Sequence, residues 1–189
     1  MTDKTKKRDY NKLAKLGLLI TAILWGSSLT VVKGATDTFN PNFILMVRFA
    51  ISAILLAIIF NKKVRKATKD DLKAGFIVGF FLFIAYSSQT LGVTYADPGR
   101  SAFLSASYCV IVPFLSWAAT KHRPDKYNMW AAAIAIVGIY LISKSGVEKG
   151  TSIFNASKEM LLGDGLALLS GILFAAHIVA VKIFTKGKD

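Results

Sequence analysis

The sequence has little cysteine and little histidine, and each scarcity excludes a class of protein. Cys109 is the single cysteine, so no disulfide can form within the chain and nothing indicates an oxidising compartment. The two histidines, His122 and His177, lie on different segments from each other and from Cys109, which matches no zinc motif. A Walker A run is also missing, so nucleotide-driven pumping would need a separate subunit. We expect no metal and no cofactor.

Charge is scarce inside the long apolar stretches of the chain. Hydrophobic residues make up 53% of the sequence and charged residues 19%, and the charges cluster between stretches that contain almost none. Several stretches approach the roughly 20 apolar residues that cross a bilayer, without the alternation of a soluble strand or helix. The pattern predicts an all-α integral membrane protein with about six transmembrane helices, at residues 13–33, 42–60, 74–94, 101–120, 127–143 and 162–184.

Basic residues outnumber acidic ones, 24 to 11, and their positions predict the topology. Eighteen lie in the N-terminal segment, in the second and fourth loops and at the C-terminal end, whereas five lie on the opposite side and Arg48 lies inside a span. Because basic loops stay in the cytoplasm, we expect a multi-pass protein of the plasma membrane with both termini cytoplasmic. The basic residues are confined to short segments between the spans, which also argues against a nucleic acid partner.

An internal repeat relates the first and sixth predicted helices. An offset of 149 residues places 21–33 over 170–182, with four of thirteen positions identical and several aromatic and small positions matched. Five helices separate equivalent points, so the two copies must cross the membrane in opposite directions, as in the inverted repeats of secondary transporters. The division follows: a cytoplasmic basic segment at 1–11, a five-helix repeat at 12–143, an extracytoplasmic loop at 144–161 and the first helix of an incomplete second repeat at 162–189.

Polar side chains inside these spans are costly, so each needs a reason. Arg48 either snorkels to the interface or contacts an anionic or polar substrate group. His177 is either a satisfied donor between helices or a group that titrates near neutral pH and couples transport to protons. The run from Tyr86 to Thr90 cannot wholly avoid lipid unless one side faces protein or water.

Structural roles explain several other features. Small residues four apart predict helix packing at Gly75/Gly79, Ser101/Ser105, Ala131/Ala135 and Gly171/Ala175. Pro113 predicts a kink in the fourth helix, and Asp164 is expected to cap the start of the sixth. Ser170 and His177 share a face, but their separation of about 10.5 Å along the helix disfavours a hydrolytic dyad. A membrane assembly or sensor protein remains an alternative to a transporter, and an intramembrane hydrolase a weaker one.

The order and spacing of several motifs resemble the EamA-type transporters of the drug/metabolite superfamily, over residues 12–184. These motifs are Trp25-Gly26-Ser27-Ser28, Arg48-Phe49 after Pro41, Gly92-Val93-Thr94-Tyr95-Ala96 before Ser101-Ala102-Phe103-Leu104, then Pro113, Gly138 and Gly163-Asp164. The resemblance implies a permease, not an enzyme, with ten helices in two inverted repeats that moves small metabolites or drugs by alternating access. Where many members carry Gly-Glu after the fourth helix, this chain reads Lys121-His122-Arg123-Pro124.

The polar residues of the spans, taken with a transporter function, predict a polar substrate cavity lined by helices one, two, three, four and six. Trp25 is expected to form an aromatic wall, and the predicted polar contacts are Ser28, Arg48, Tyr86, Gln89, Tyr108 and His177. The partners implied are the lipid bilayer and a small-molecule substrate. Four helices of the second repeat are not in the sequence, so we expect self-association or complementing helices and no transport by a monomer.

The charge asymmetry generates a test of topology. In a Cys109→Ser background, cysteine introduced at Asn155 should react with a membrane-impermeant thiol reagent in intact cells, because the 144–161 loop is expected outside. Cysteine introduced at Lys66 or Lys186 should react only after permeabilisation. Labelling of Lys66→Cys in intact cells, with Asn155→Cys protected, would invert the topology.

Overall fold

The protein is an all-helical bundle, which confirms the predicted fold class. The computed structural model describes residues 3–121, 123–145 and 158–185, and no strand occurs within them. The helices in chain order are α1 (Asp3–Thr36), α2 (Pro41–Ile59), α3 (Asn61–Val64), α4 (Lys69–Tyr95), α5 (Pro98–Ser105), α6 (Tyr108–Thr120), α7 (Lys126–Ser145) and α8 (Lys158–Phe184).

Within the described residues, five segments are long and apolar enough to cross a membrane, as a multi-pass protein requires. They are Ala14–Thr36 within α1, all of α2, all of α4, Pro98–Thr120 across α5 and α6, and all of α8. The sixth predicted span corresponds to α7, whose apolar part, Lys126–Leu141, is shorter. Which side of the membrane each end faces stays a prediction.

Capping residues set where three of the spans begin. Thr68 and Asp71 form a reciprocal capping box that starts α4 five residues before the predicted 74, because it holds a charged first turn in helical form. Asn40 and Asp97 cap α2 and α5, and each is followed by a proline in the first helical turn. Proline is favourable there because the first turn leaves its amide groups unpaired in any case.

The fourth predicted helix, 101–120, is interrupted, which sequence periodicity did not predict. α5 ends at Ser105 and α6 begins at Tyr108, whereas Pro113 lies inside α6. Across the interruption the backbone amides of Ser107 and Cys109 bond three residues back, to Leu104 O and Ala106 O, at 3.1 and 3.0 Å. This tighter winding changes the helix geometry well before the proline.

The centre of the bundle is the contact between α4 and α8. Gly92 and Gly163 meet with so little space that a Cβ on Gly163 would lie 3.0 Å from Gly92 O and 2.9 Å from Ala96 Cβ. The neighbouring small or branched residues Ala85, Val93, Ala167 and Ala175 are fully buried. Small residues let helix backbones approach closely, which is a main source of helix association in lipid.

A second close contact joins α8 to the interruption between α5 and α6. A Cβ on Gly171 would lie 2.8 Å from Ser105 O and would overlap Ser107 Oγ. One residue earlier, Ser170 Oγ lies 2.9 Å from Ser105 Oγ. Packing by Gly171/Ala175 and Ser101/Ser105 is therefore present, whereas a Cβ on Gly75 or Gly79 would meet nothing within 4 Å among the described residues.

An ion pair between α5 and α8 corrects the expected role of Asp164. This residue lies in the second turn of α8, not at its start, and its two carboxylate oxygens accept bonds from Arg100 Nε at 2.8 Å and Nη2 at 2.5 Å. The two side chains are only 10% and 14% exposed. A bidentate pair of this kind fixes both distance and orientation, so it holds the beginnings of α5 and α8 together.

The Gly163 contact predicts a specific sensitivity to size. Gly163→Ala should lower the free energy of unfolding in mixed micelles by about 1–3 kcal/mol, because the added methyl group meets backbone atoms of α4. Gly165→Ala is the matched control, since a Cβ there has nothing within 4 Å. Equal effects from the two substitutions would contradict the close approach of α4 and α8.

The Arg100–Asp164 pair predicts a second loss of stability. Asp164→Ala should lower the free energy of unfolding by about 3 kcal/mol, because it leaves the poorly solvated Arg100 without its carboxylate partner. The double variant Arg100→Met with Asp164→Leu should be more stable than either single variant, since it removes both charges. Glu159→Gln, on the same helix but exposed, is the control and should change little. Additive single effects would argue against the pair.

Candidate functional site: two cavities joined by aromatic contacts

Five of the seven predicted contact residues line two cavities, Ser28 contacts one of the five, and His177 lies elsewhere. The first, called the Arg48 cavity, has a volume of 370 Å³ and lies between α2 and α4. Its lining is Leu45, Arg48, Phe49, Ser52, Ala53, Leu56, Leu82 and Tyr86. The second, called the Trp25 cavity, has a volume of 280 Å³. Its lining is Ala22, Trp25, Gly26, Leu29, Gln89, Ala102, Ser105, Ala106, Tyr108 and Phe174.

The Arg48 side chain contacts two other predicted residues, one on α1 and one on α4. Arg48 Nη2 donates to Ser28 Oγ on α1 at 3.4 Å, and the guanidinium carbon lies 5.3 Å from the centre of the Tyr86 ring on α4. The second contact is a cation–π geometry. Arg48 is therefore turned towards neighbouring helices.

The Trp25 cavity is built from five helices. Trp25 comes from α1, Gln89 from α4, Tyr108 from the start of α6 and Phe174 from α8, while α5 contributes Ser105. Gln89 is buried, at 8% exposure, within a run of α4 whose neighbours Ser88 and Thr90 are buried too. The expectation that one side of this polar run faces protein is thus confirmed.

Aromatic rings connect the two cavities. Tyr86 lines the Arg48 cavity and contacts Phe174 of the Trp25 cavity edge-on, with ring centroids 5.1 Å apart. Phe174 also meets Tyr108 at 6.2 Å, and Tyr86 meets Phe49 at 5.6 Å. Such edge-to-face contacts add specific geometry to apolar burial. A continuous row of rings therefore runs from α2 to α6.

Phe174 was missing from the predicted contact residues, although the sequence contained a signal for it. The repeat offset of 149 pairs Phe174 with Trp25, and the two aromatic residues line one cavity from α8 and α1. Equivalent positions of a transporter repeat often meet at a shared site. The prediction used this offset only to pair Ser28 with His177. Its application to Trp25 would have identified Phe174 as a contact residue.

His177 has a structural contact away from both cavities. Its Nδ1 lies 3.0 Å from Val78 O on α4, and because a carbonyl oxygen only accepts, this nitrogen carries the proton in that bond. Ser170 Oγ instead donates to Ala167 O at 2.7 Å. The two residues do not form a dyad. In the described part of the chain, no three His, Cys, Asp or Glu side chains are grouped to hold a metal.

The lysines matched by the repeat, Lys33 and Lys182, each reach a neighbouring helix. Lys33 Nζ donates to Thr94 O, in the last turn of α4, at 2.6 Å, and Lys182 Nζ donates to Ser116 Oγ on α6 at 3.0 Å. α1 ends beside the end of α4, and α8 starts beside the start of α5, so α1 and α8 run in opposite directions. The two lysines therefore lie at opposite ends of the bundle.

Comparison with known proteins finds relatives that are named as transporters. An uncharacterized transporter of Archaeoglobus fulgidus is 34% identical over 173 residues, which cover 92% of this chain and 50% of that protein. The uncharacterized transporter YrdR of Bacillus subtilis is 25% identical over 162 residues, or 82% of this chain and 48% of that protein. The chain thus spans about half the length of the curated relatives it matches. No solved structure matches it significantly.

Comparison with protein families also finds a transporter family, over most of the chain. The EamA-like transporter family matches residues 12–144, which include α2 to α6 and most of α1 and α7. The Trp25 cavity draws four of its five helices from this stretch, and α8 supplies the fifth. The chain belongs to the EamA-like transporter family.

Proposed function

We propose that this chain is a unit of a secondary transporter that moves small metabolites or drugs by alternating access, with the substrate bound in the Trp25 and Arg48 cavities. Membership of a family of membrane transporters supports the general activity. The observation that carries the proposal is the convergence of Trp25, Gln89 and Tyr108 from three separate spans on one cavity. Polar groups inside a span are costly, and those that occur usually pair with other groups or line the pathway of a substrate.

Each cavity residue receives a distinct role in this proposal. Trp25, 53% exposed, presents a broad apolar face to the substrate, and Phe174 stands as the corresponding ring on α8. Gln89 supplies both a donor and an acceptor, whereas Tyr108 supplies a hydroxyl. The apolar walls with few polar groups are typical of small-molecule sites. Arg48 and Tyr86 supply polar groups to the adjoining cavity, and Ser28 contacts Arg48 from α1.

Alternating access in this chain requires additional helices. In the most apolar segments of α1 and α2, only 6% of the residues are buried by the rest of the protein, whereas 39% are buried in that of α8. The curated relatives are about twice as long as the matched segment. We infer that helices from a longer protein, or from a second copy, complete the pathway against α1 and α2. Proton coupling through His177 is a separate expectation, and the Val78 contact gives this residue a packing role in either case.

The proposal predicts that the Trp25 cavity controls flux. An uptake and efflux screen of the complete gene in a deletion host should first identify a transported compound. Trp25→Ala and Gln89→Leu should then each reduce its flux at least about tenfold, the loss that about 1.4 kcal/mol of binding energy would give. Trp130→Ala is the matched control, because Trp130 on α7 is 70% exposed and lies outside the cavity lining.

Two outcomes would count against the transporter proposal. One is a complete protein, inserted and folded, that changes the uptake or efflux of no compound in the screen. The other is flux that survives both Trp25→Ala and Gln89→Leu at the level of Trp130→Ala. Protein amounts in the membrane must be matched among variants, since a lower amount alone would imitate a loss of flux.

A further inference from the structure

We propose that the substrates are small organic anions, carboxylates with an apolar body, and that Arg48 binds the carboxylate. This inference rests on the transport function proposed above and names its substrate class. It starts from an imbalance of charge: Arg48 is a permanent cation within a span, and no described carboxylate forms an ion pair with it.

Acidic side chains are almost absent from the candidate spans. Asp70, Asp71 and Glu159 lie in the first turns of α4 and α8, at the ends of the bundle. The fourth, Asp164, is already bound through both oxygens to Arg100. Arg48 lies seven residues into α2, about 10 Å from its start by helical rise. The charge of Arg48 is thus left without a counter-ion from the described part of the protein.

The guanidinium of Arg48 also has unused hydrogen-bonding capacity. An arginine carries five N–H donors, and the structure gives Arg48 a single described acceptor, Ser28 Oγ, at the long distance of 3.4 Å. The Tyr86 ring covers one face of the planar group and accepts no strong hydrogen bond. A carboxylate can approach the edge of a guanidinium through two parallel bonds while the face remains on the ring.

The rest of the Arg48 cavity suits an apolar body attached to that carboxylate. Apart from the hydroxyl groups of Ser52 and Tyr86, the cavity wall around the arginine is aliphatic and aromatic, with Leu45, Phe49, Ala53, Leu56 and Leu82. Its 370 Å³ lies within the range of about 300–1,000 Å³ usual for small-ligand sites. An organic cation would be repelled by Arg48, and a neutral ligand would leave its charge uncompensated. The chemistry of the lining therefore selects an amphiphilic anion.

A matched ligand series tests the charge preference in the chain as it exists. The purified 189-residue protein in phosphatidylcholine nanodiscs is titrated calorimetrically with 3-phenylpropionate, 3-phenylpropionamide and 3-phenylpropylamine, which differ mainly in the charge of one end. We expect the carboxylate to bind at least about tenfold more tightly than the amide, and the amine to bind no better than the amide. Equal binding of carboxylate and amide, or no binding of any of the three, would overturn the proposal.

Variants assign the preference to Arg48. Arg48→Gln should remove the difference between carboxylate and amide, whereas Arg48→Lys should retain a preference for the anion with weaker binding, because the charge stays but the fork geometry is lost. Arg65→Gln removes an exposed arginine beyond α3 and should leave all three affinities unchanged. If Arg48→Gln does not fold, the ligand series with the wild-type protein and with Arg48→Lys still tests whether the anion preference depends on Arg48. A preference that survives in Arg48→Gln would contradict the assignment.

Two further arms separate this inference from its alternatives. Nanodiscs that contain anionic phosphatidylglycerol should not abolish binding of 3-phenylpropionate; if they do, Arg48 binds a lipid headgroup and the proposal fails. Flux by the complete transporter, measured independently, separates the two proposals. Charge-selective binding without flux would contradict only the proposed transport function. Flux of compounds without a charge preference would contradict only the proposal that the substrates are anions.

Discussion

Close backbone contact between α4 and α8 is the constraint on which the rest of the bundle depends. In lipid there is little hydrophobic force between helices, so their association comes from packing and hydrogen bonds. Gly92 and Gly163 bring the two backbones together, and this contact places Asp164 beside Arg100 and Gly171 against the interruption after α5. α8 therefore occupies the middle of the bundle, while α1 and α2 pack along its periphery and leave cavities beside α4.

The two arginines within the spans show how differently this architecture treats charge. Arg100 lies at the start of α5, where the position of α8 supplies a carboxylate, and the pair joins two helices. Arg48 lies deeper in its span, beside an apolar cavity, and meets only a hydroxyl and an aromatic face among the described residues. One positive charge is neutralised by the fold, and the other is available to a ligand.

Hydrophobic runs were sufficient to predict where the five candidate spans and the shorter apolar α7 lie along the chain, because each span must be apolar over its own length. They could not predict the Arg100–Asp164 pair, whose members are 64 residues apart and meet only through helix packing. The interruption at Ala106 and Ser107 was missed because both segments are apolar and only the hydrogen-bond spacing changes. The repeat register contained Phe174, since Trp25 marked its position. A donor role between helices was one of the two expectations for His177, but its partner, Val78 O, had no signal in the sequence.

The end of α6 adds a conformational feature to the loop where the sequence departs from the family pattern. Lys121 follows this helix in the left-handed conformation, with φ of 60° and ψ of 8°. A glycine would adopt it freely, whereas a lysine is strained there by roughly 1 kcal/mol or more. The charge of Lys121, however, is one of those from which a cytoplasmic position of this loop is predicted. On the predicted topology, the same residue thus weakens the local backbone and strengthens the insertion signal.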